Sequence, residues 1–303
     1  MSKIFFASMI FSLAVLFAPA AGSGKEKAGL PDYLTAPGEK TGRKCAMFIF
    51  GHYDDDSAIS GTINMFVRAG WEVHQVYVVE AGTGSVLWGT TASRMAEMQI
   101  AVDQEGVPRQ NRHIIDVPDR EAYHNMPGIM DQVTALVMKY QPSVIVTCAY
   151  EGGQWDHDAS CVAGYVAAKR SGLSIARFEI PTYNAAGPKI MPYQMNHFIK
   201  TYGPAQYVIP DQEGWAARKK VRYAYKSQWF LMLPEGLIFG YRHLLGRGEP
   251  IRKTPDYNFL EQPHPGTLMV QGRVGAIRGA PFSDWQKGVR SIPEFEQRKT
   301  RND

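Results

Sequence analysis

The chain has 303 residues, 45% of them hydrophobic and 20% charged, with a formal net charge of +4 from 33 basic and 29 acidic residues. This length and composition support one large α/β domain, or at most two small domains, with a sizeable core and exclude a disordered chain. The charge is too mild, and too free of dense Lys/Arg tracts, for a nucleic-acid binder. Gly and Pro are scattered, and no internal repeat is visible.

Residues 1–20 open with Lys3, continue as an apolar run from Ile4 to Phe17 and close with Ala18-Pro19-Ala20, the pattern of a secretory signal peptide. The run is short for a helix that must cross roughly 30 Å of hydrocarbon. The chain is therefore expected to be exported, to the periplasm or the extracellular space. Residues 21–43, rich in Gly, Lys, Pro and Glu, read as an exposed lead-in. The cysteines Cys45, Cys148 and Cys161 are odd in number and contain no CxxC. Neither a disulfide framework nor a thiolate zinc site is indicated.

From there the pattern alternates. Cys45–Phe50 (CAMFIF) reads as a buried strand, Ala58–Ala69 as a helix stopped by Gly70, and Glu72–Val79 as the next strand. A loop beginning at Gly82 passes through Trp88 to a helix over Thr91–Gln104. His113–Val117 is a short strand, Pro127–Tyr140 an amphipathic helix closed by Pro142, and Ser143–Ala149 (SVIVTCA) another buried strand. Ser160–Arg170 is helical up to Gly172. Ala176–Ile180 and Gln206–Ile209 are strand candidates, followed by helices near Glu213–Leu233 and Leu237–Leu245. The alternation predicts an α/β chain: a single Rossmann-like domain over 44–245, with a mostly parallel sheet and helices on both faces. Residues 246–303 form a C-terminal extension packed on or wrapping the same domain. In such sheets ligands bind beyond the carboxyl ends of the strands.

Two loops at such ends carry chemistry. Gly51-His52-Tyr53-Asp54-Asp55-Asp56 follows CAMFIF, and three consecutive carboxylates repel one another unless a cation or a helix start gathers them. Tyr150-Glu151-Gly152-Gly153-Gln154-Trp155-Asp156-His157-Asp158 follows SVIVTCA and again places His beside Asp. If the two strands are sheet neighbours, two imidazoles and a carboxylate meet. That is a common open catalytic shell for Zn²⁺, and it also suits Fe²⁺.

His52-Tyr53-Asp54-Asp55-Asp56 resembles the H-P-D-D-E signature of the LmbE-like/PIG-L family of zinc-dependent N-acetylglucosaminyl deacetylases, and Asp156-His157 resembles the end of its H-P-D-H signature. Arg94-Met95-Ala96-Glu97 is similar to the family's R-x-x-E helix, and Tyr225-Lys226-Ser227-Gln228 to its H-x-S-Q ending. The resemblance spans roughly Cys45–Gln228. It implies a Rossmann-like fold, with His52, Asp55 and His157 as metal ligands and Asp54 as general base. It also implies that Arg94 contacts substrate or orders the site. Three positions depart from the pattern: Tyr53 stands for Pro, Asp56 for Glu, and Gln154 for the family's first His of H-P-D-H. In the family that His stabilises the oxyanion and is oriented by an Asp, here Asp156. A Gln amide can donate a hydrogen bond to an oxyanion but carries no proton to a leaving amine.

The reading that follows is metal-assisted removal of an acetyl group from an N-acetylated amino sugar in a glycan or glycolipid, with Asp54 serving as base and then acid. Trp88, Tyr150 and Trp155 are loop aromatics placed to meet a sugar ring or to pack at the rim. One alternative is hydrolysis of another amide on the same scaffold. Another is a non-catalytic metal- or sugar-binding protein disabled at Gln154. A dinucleotide-type Rossmann enzyme would need a Gly-rich turn after the first strand, and Gly51-His52-Tyr53-Asp54 is not one. No stable protein partner is indicated. Arg242, Arg247 and Arg252-Lys253 could meet an anionic substrate, but they read better as solvated surface.

Overall fold

In the computed structural model the described residues are 29–80, 89–187, 193–271 and 280–296. The expected signal segment and Trp88 lie outside them. A seven-stranded sheet has the order β3-β2-β1-β4-β5-β9-β8. Its strands are β1 (Cys45–Phe50), β2 (Glu72–Glu80), β3 (Arg112–Pro118), β4 (Val144–Cys148), β5 (Ala176–Ile180), β8 (Gln206–Val208) and β9 (Glu249–Lys253). A separate hairpin pairs β6 (Tyr183–Asn184) with β7 (Gln194–Met195). Strands β3, β2, β1, β4 and β5 run parallel, while β9 is antiparallel to both β5 and β8.

The central strands read as continuous apolar runs because both faces are covered. All six residues of β1 are buried. On one face Met47, Ile49, Val76 and Ile145 pack against α4 (Met126–Tyr140), α5 (Trp155–Ser171) and α8 (Phe282–Arg290). On the other, Phe48, Phe50, Tyr77 and Val146 pack against α2 (Ser60–Arg68), α3 (Thr91–Glu105) and α6 (Gln212–Ala224). Burying each such large side chain contributes about 1.5–3 kcal/mol. The chain winds from β1 to β3 in one direction and returns through β4 to the opposite side of β1. The topological switch point, where open α/β sheets bind ligands, therefore lies between β1 and β4.

Three expectations change. The lead-in is not exposed throughout, because Asp32–Thr41 forms a helix, α1, whose Leu34 is fully buried. Gly42 caps it in the left-handed conformation. The break expected between 233 and 237 lies instead at Tyr225–Gln228, and α7 (Trp229–Leu244) runs on through Pro234. Tyr225 ends α6 because its hydroxyl is drawn inward to Asp56. The C-terminal extension opens with β9, a strand of the central sheet itself. There Glu249 accepts hydrogen bonds from the Gly61 and Thr62 N–H groups and from Arg218. Cys45, Cys148 and Cys161 are all buried free thiols.

Candidate active site

Strands β1 and β4 are hydrogen-bonded neighbours in register from Ala46↔Val144 to Ile49↔Thr147. The loop after β1 therefore lies beside the loop that starts α5. Close approach requires Gly51, where an added Cβ would stand 2.7 Å from the His157 ring. Asp156 and His157 occupy the first turn of α5. Asp158, on the same turn, accepts the Glu151 N–H at 2.8 Å and the Gly152 N–H at 3.0 Å, folding the loop back on itself. Burial pushes the Asp158 carboxyl up to about 8, against the pull of those backbone hydrogen bonds.

His52, Asp55 and His157 converge. His52 Nδ1 lies 2.9 Å from His157 Nε2, which lies 3.1 Å from Asp55 Oδ1. The Asp55 carboxylate also accepts the His52 backbone N–H at 2.8 Å. Burial alone would raise the Asp55 carboxyl, but the His157 and His52 imidazoles hold it far below the usual carboxylate range.

The other edge of the His52 ring meets Asp119 Oδ1 at 3.1 Å and Asp156 Oδ2 at 3.2 Å. Burial alone would lower this imidazole, and its hydrogen bonds with Asp119, Asp156 and Asp55 raise it well above its ordinary value. Two carboxylates at Nε2 fix a proton there and leave Nδ1 as the ring atom that faces His157 and Asp55. Asp156 is itself held by the backbone N–H groups of Arg120 and Ala122. Arg120 takes a left-handed backbone, φ 70°, to make that contact. Two imidazoles and a carboxylate with buried carboxylates behind them fit a divalent metal such as Zn²⁺ or Fe²⁺.

Asp54 lies beside this trio without belonging to it, and Arg94 Nη2 donates to its Oδ1 at 2.7 Å. Arg94 thus fixes the Asp54 carboxylate. Glu97, one turn along α3, accepts from the Ser227 N–H and hydroxyl at 2.9 and 2.7 Å, which explains the pairing of the R-x-x-E helix with the distant S-Q dipeptide. Asp56 is fully buried between the Tyr77 and Tyr225 hydroxyls, and burial drives its carboxyl well above the ordinary value.

Gln154 precedes α5 and faces inward. Its Nε2 lies 2.9 Å from His52 Nε2 and 3.3 Å from Asp156 Oδ2, while its Oε1 accepts the Tyr183 hydroxyl. With the His52 proton on Nε2, a half-turn of the amide places its oxygen on that N–H and its NH₂ on Tyr183. Either way the amide is engaged by His52 and Tyr183. Asp156 contacts His52 directly, a role beyond orienting residue 154.

The aromatic expectations change. Tyr150 does not reach the site: it is buried, donates to the Glu261 carbonyl at 2.8 Å and stacks on Trp285. Trp155 is likewise buried, 5.0 Å from the Trp285 ring. Both are covered by the C-terminal segment. Sequence reasoning missed Asp119, although it directly follows β3 at the carboxyl edge of the sheet. It also missed Tyr183, whose ring meets His157 edge-on at 5.0 Å. A cavity of about 390 Å³ opens beside Asp119 and Gln154 and is lined further by Arg120, Tyr123 and Asp284.

An α/β sheet with a His–Asp–His cluster and an adjacent carboxylate at its switch point defines a scaffold suited to metal-assisted hydrolysis. Residues 47–168 match the family model PIG-L, GlcNAc-PI de-N-acetylase. This match marks a PIG-L (LmbE-like) domain within the chain. Among solved structures it is similar to the zinc-inhibited form of teicoplanin deacetylase Orf2, with 15% identity, 70% of this chain and 100% of that chain covered, and a TM-score of 0.55. A40926 pseudoaglycone deacetylase Dbv21 gives 16% identity, 71% and 100% coverage and a TM-score of 0.54. N,N'-diacetylchitobiose deacetylase from Pyrococcus horikoshii, complexed with its inhibitor MPG, gives 16% identity, 84% and 94% coverage and a TM-score of 0.53. At these identities the likeness establishes the fold. No curated protein matches the sequence significantly.

Proposed function

We propose that the protein is a metal-dependent hydrolase that removes the acetyl group from an N-acetylated amino sugar, of the N-acetylglucosamine type, in a glycan or glycolipid. The observation that carries this reading is the convergence of His52, Asp55 and His157 beside Asp54, a carboxylate left out of the cluster. A bound Zn²⁺, or Fe²⁺, would acidify a water and polarise the amide carbonyl. Asp54 accepts the proton of the attacking water and delivers it to the departing amine. Arg94 fixes the Asp54 carboxylate for both transfers. Gln154 and Tyr183 supply hydrogen-bond donors for the charge that develops on the carbonyl oxygen. The cavity beside Asp119 and Gln154 supplies the volume for a sugar ring. The signal-like pattern of residues 1–20 supports a site of action outside the cytoplasm and a glycan substrate.

The test is acetate release from a panel of N-acetylated sugars by the purified protein and by Asp54→Asn. Acetate from the wild type alone supports the reading. Release of a longer acyl chain but no acetate would move the activity to another amide on the same scaffold.

A further inference from the structure

Nine large hydrophobic side chains are exposed among the described residues, and six of them, Tyr223, Trp229, Leu233, Leu237, Leu244 and Leu245, lie between residues 223 and 245. Trp229, Leu233, Leu237 and Leu244 recur at helical spacing along the outer face of α7, while Met232, Ile238 and Phe239 fill its inner face. At 16 residues the helix is about 24 Å long. Such a stripe exceeds the scattered apolar side chains of an ordinary surface.

The surroundings of the stripe are basic. Residues 212–247 carry seven Lys and Arg against two acidic residues, Glu213 and Glu235; Arg218 and Arg242 are buried, and Lys219, Lys220, Arg222, Lys226 and Arg247 reach the surface. Both acids are engaged, Glu213 by Arg68 at 3.3 Å and Glu235 by Arg218 at 2.7 Å. A groove of about 240 Å³ between α6 and α7 is lined by Trp215, Arg218, Lys219, Arg222, Phe239 and His243. Arg222 lies across α7 at Gly236, where an added Cβ would overlap its guanidinium.

We propose that this α6–α7 face docks on the surface of an anionic phospholipid bilayer, with the apolar stripe in the headgroup boundary and the basic groove receiving lipid phosphate. Charge selects this occupant over a second copy of the chain, because a symmetric dimer would press two basic surfaces together. An apolar stripe with a tryptophan at one end and lysines along its flank is the form of an interfacial helix. No helix among the described residues is long and apolar enough to cross a membrane, so the contact lies in the interface. The face begins at the site: Trp229 follows Tyr225 and Ser227, which brace Asp56 and Glu97. Docking there holds the carboxyl edge of the sheet near the lipid surface.

Co-sedimentation with vesicles of phosphatidylcholine, with and without a quarter of phosphatidylglycerol, tests this independently of catalysis. The full chain should bind the anionic vesicles roughly tenfold more tightly, and less in high salt. Leu233→Glu/Leu237→Glu/Leu244→Glu should lose binding by about tenfold or more, and Lys219→Glu/Lys220→Glu should lose the preference for anionic lipid. Unchanged thermal melts and metal content establish that the variants are folded. Equal binding to both vesicles, or variants that bind as the wild type does, would overturn the proposal. So would a wild-type dimer that the leucine variant splits with no vesicle binding in either.

Discussion

Two histidine clusters occupy opposite ends of the same parallel strands, and each brings three ligand atoms within 4.8 Å of one another. At the carboxyl ends His52 and His157 meet Asp55, backed by Asp119 and Asp156. At the amino ends Cys45, Glu72 and His74 meet, with His113 Nε2 3.1 Å from His74 Nδ1 and the Tyr140 ring stacked 3.8 Å from His74. Their charge balance differs. Burial lowers His74, and burial, His74 and Lys139 together push His113 down to about 4. Burial and Glu72 push the Cys45 thiol up to about 12, only partly offset by Arg43. Glu72, the one carboxylate of that cluster, is half exposed. Ligand type and distance are thus shared by both ends. What separates them is the buried negative charge behind the imidazoles, present only at the carboxyl ends.

The sharpest way to break this comparison is at Asp54. Asp54→Asn should lower acetate release by about 10²–10⁴-fold with metal content unchanged, since it removes the proposed base and spares the proposed ligands. An equal loss of metal would make Asp54 a ligand. Asp119→Asn keeps the shape but removes one of the charges holding the His52 proton on Nε2, and should weaken metal affinity by about 10–100-fold in a competition titration. Unchanged affinity would reduce Asp119 to a packing residue.

The raised His52 imidazole sets the pH dependence. Its proton is favoured in the folded, metal-free protein up to well above the ordinary value, so metal must displace a proton at neutral pH. Affinity should therefore rise with pH, by about tenfold per unit while one proton is released, as calorimetry at pH 6, 7 and 8 would show. A flat profile would contradict that protonation state. The smallest effect is expected at the other end of the sheet. Cys45→Ala and His74→Gln should leave metal stoichiometry and affinity unchanged, and loss of a bound equivalent would make the amino-end cluster a second site.

The fold and the core of the site were legible where function sits next to an apolar strand. CAMFIF and SVIVTCA mark β1 and β4, and their following loops deliver His52, Asp55 and His157 to one point because the two strands are sheet neighbours. What was not legible depends on distant segments. Asp119 stands alone after β3, and Tyr183 comes from a short hairpin; neither lies in a sequence cluster. Tyr150 and Trp155 read as rim aromatics, yet Phe259 and Trp285, more than a hundred residues away, cover them. Arg252 and Arg242 read as solvated surface, but both are buried. Arg252 pairs with Glu179 at 2.7 Å, and Arg242 donates to the Asn196 carbonyl. Composition marks a charge; only the fold shows whether a partner waits in the core.

The most direct measurement is metal stoichiometry, by mass spectrometry, of the metal-replete protein beside His157→Ala. One divalent ion per chain in the wild type, with none in the variant, is the expected result. Equal metal in both, or none in either, would contradict a metal centre at His52, Asp55 and His157.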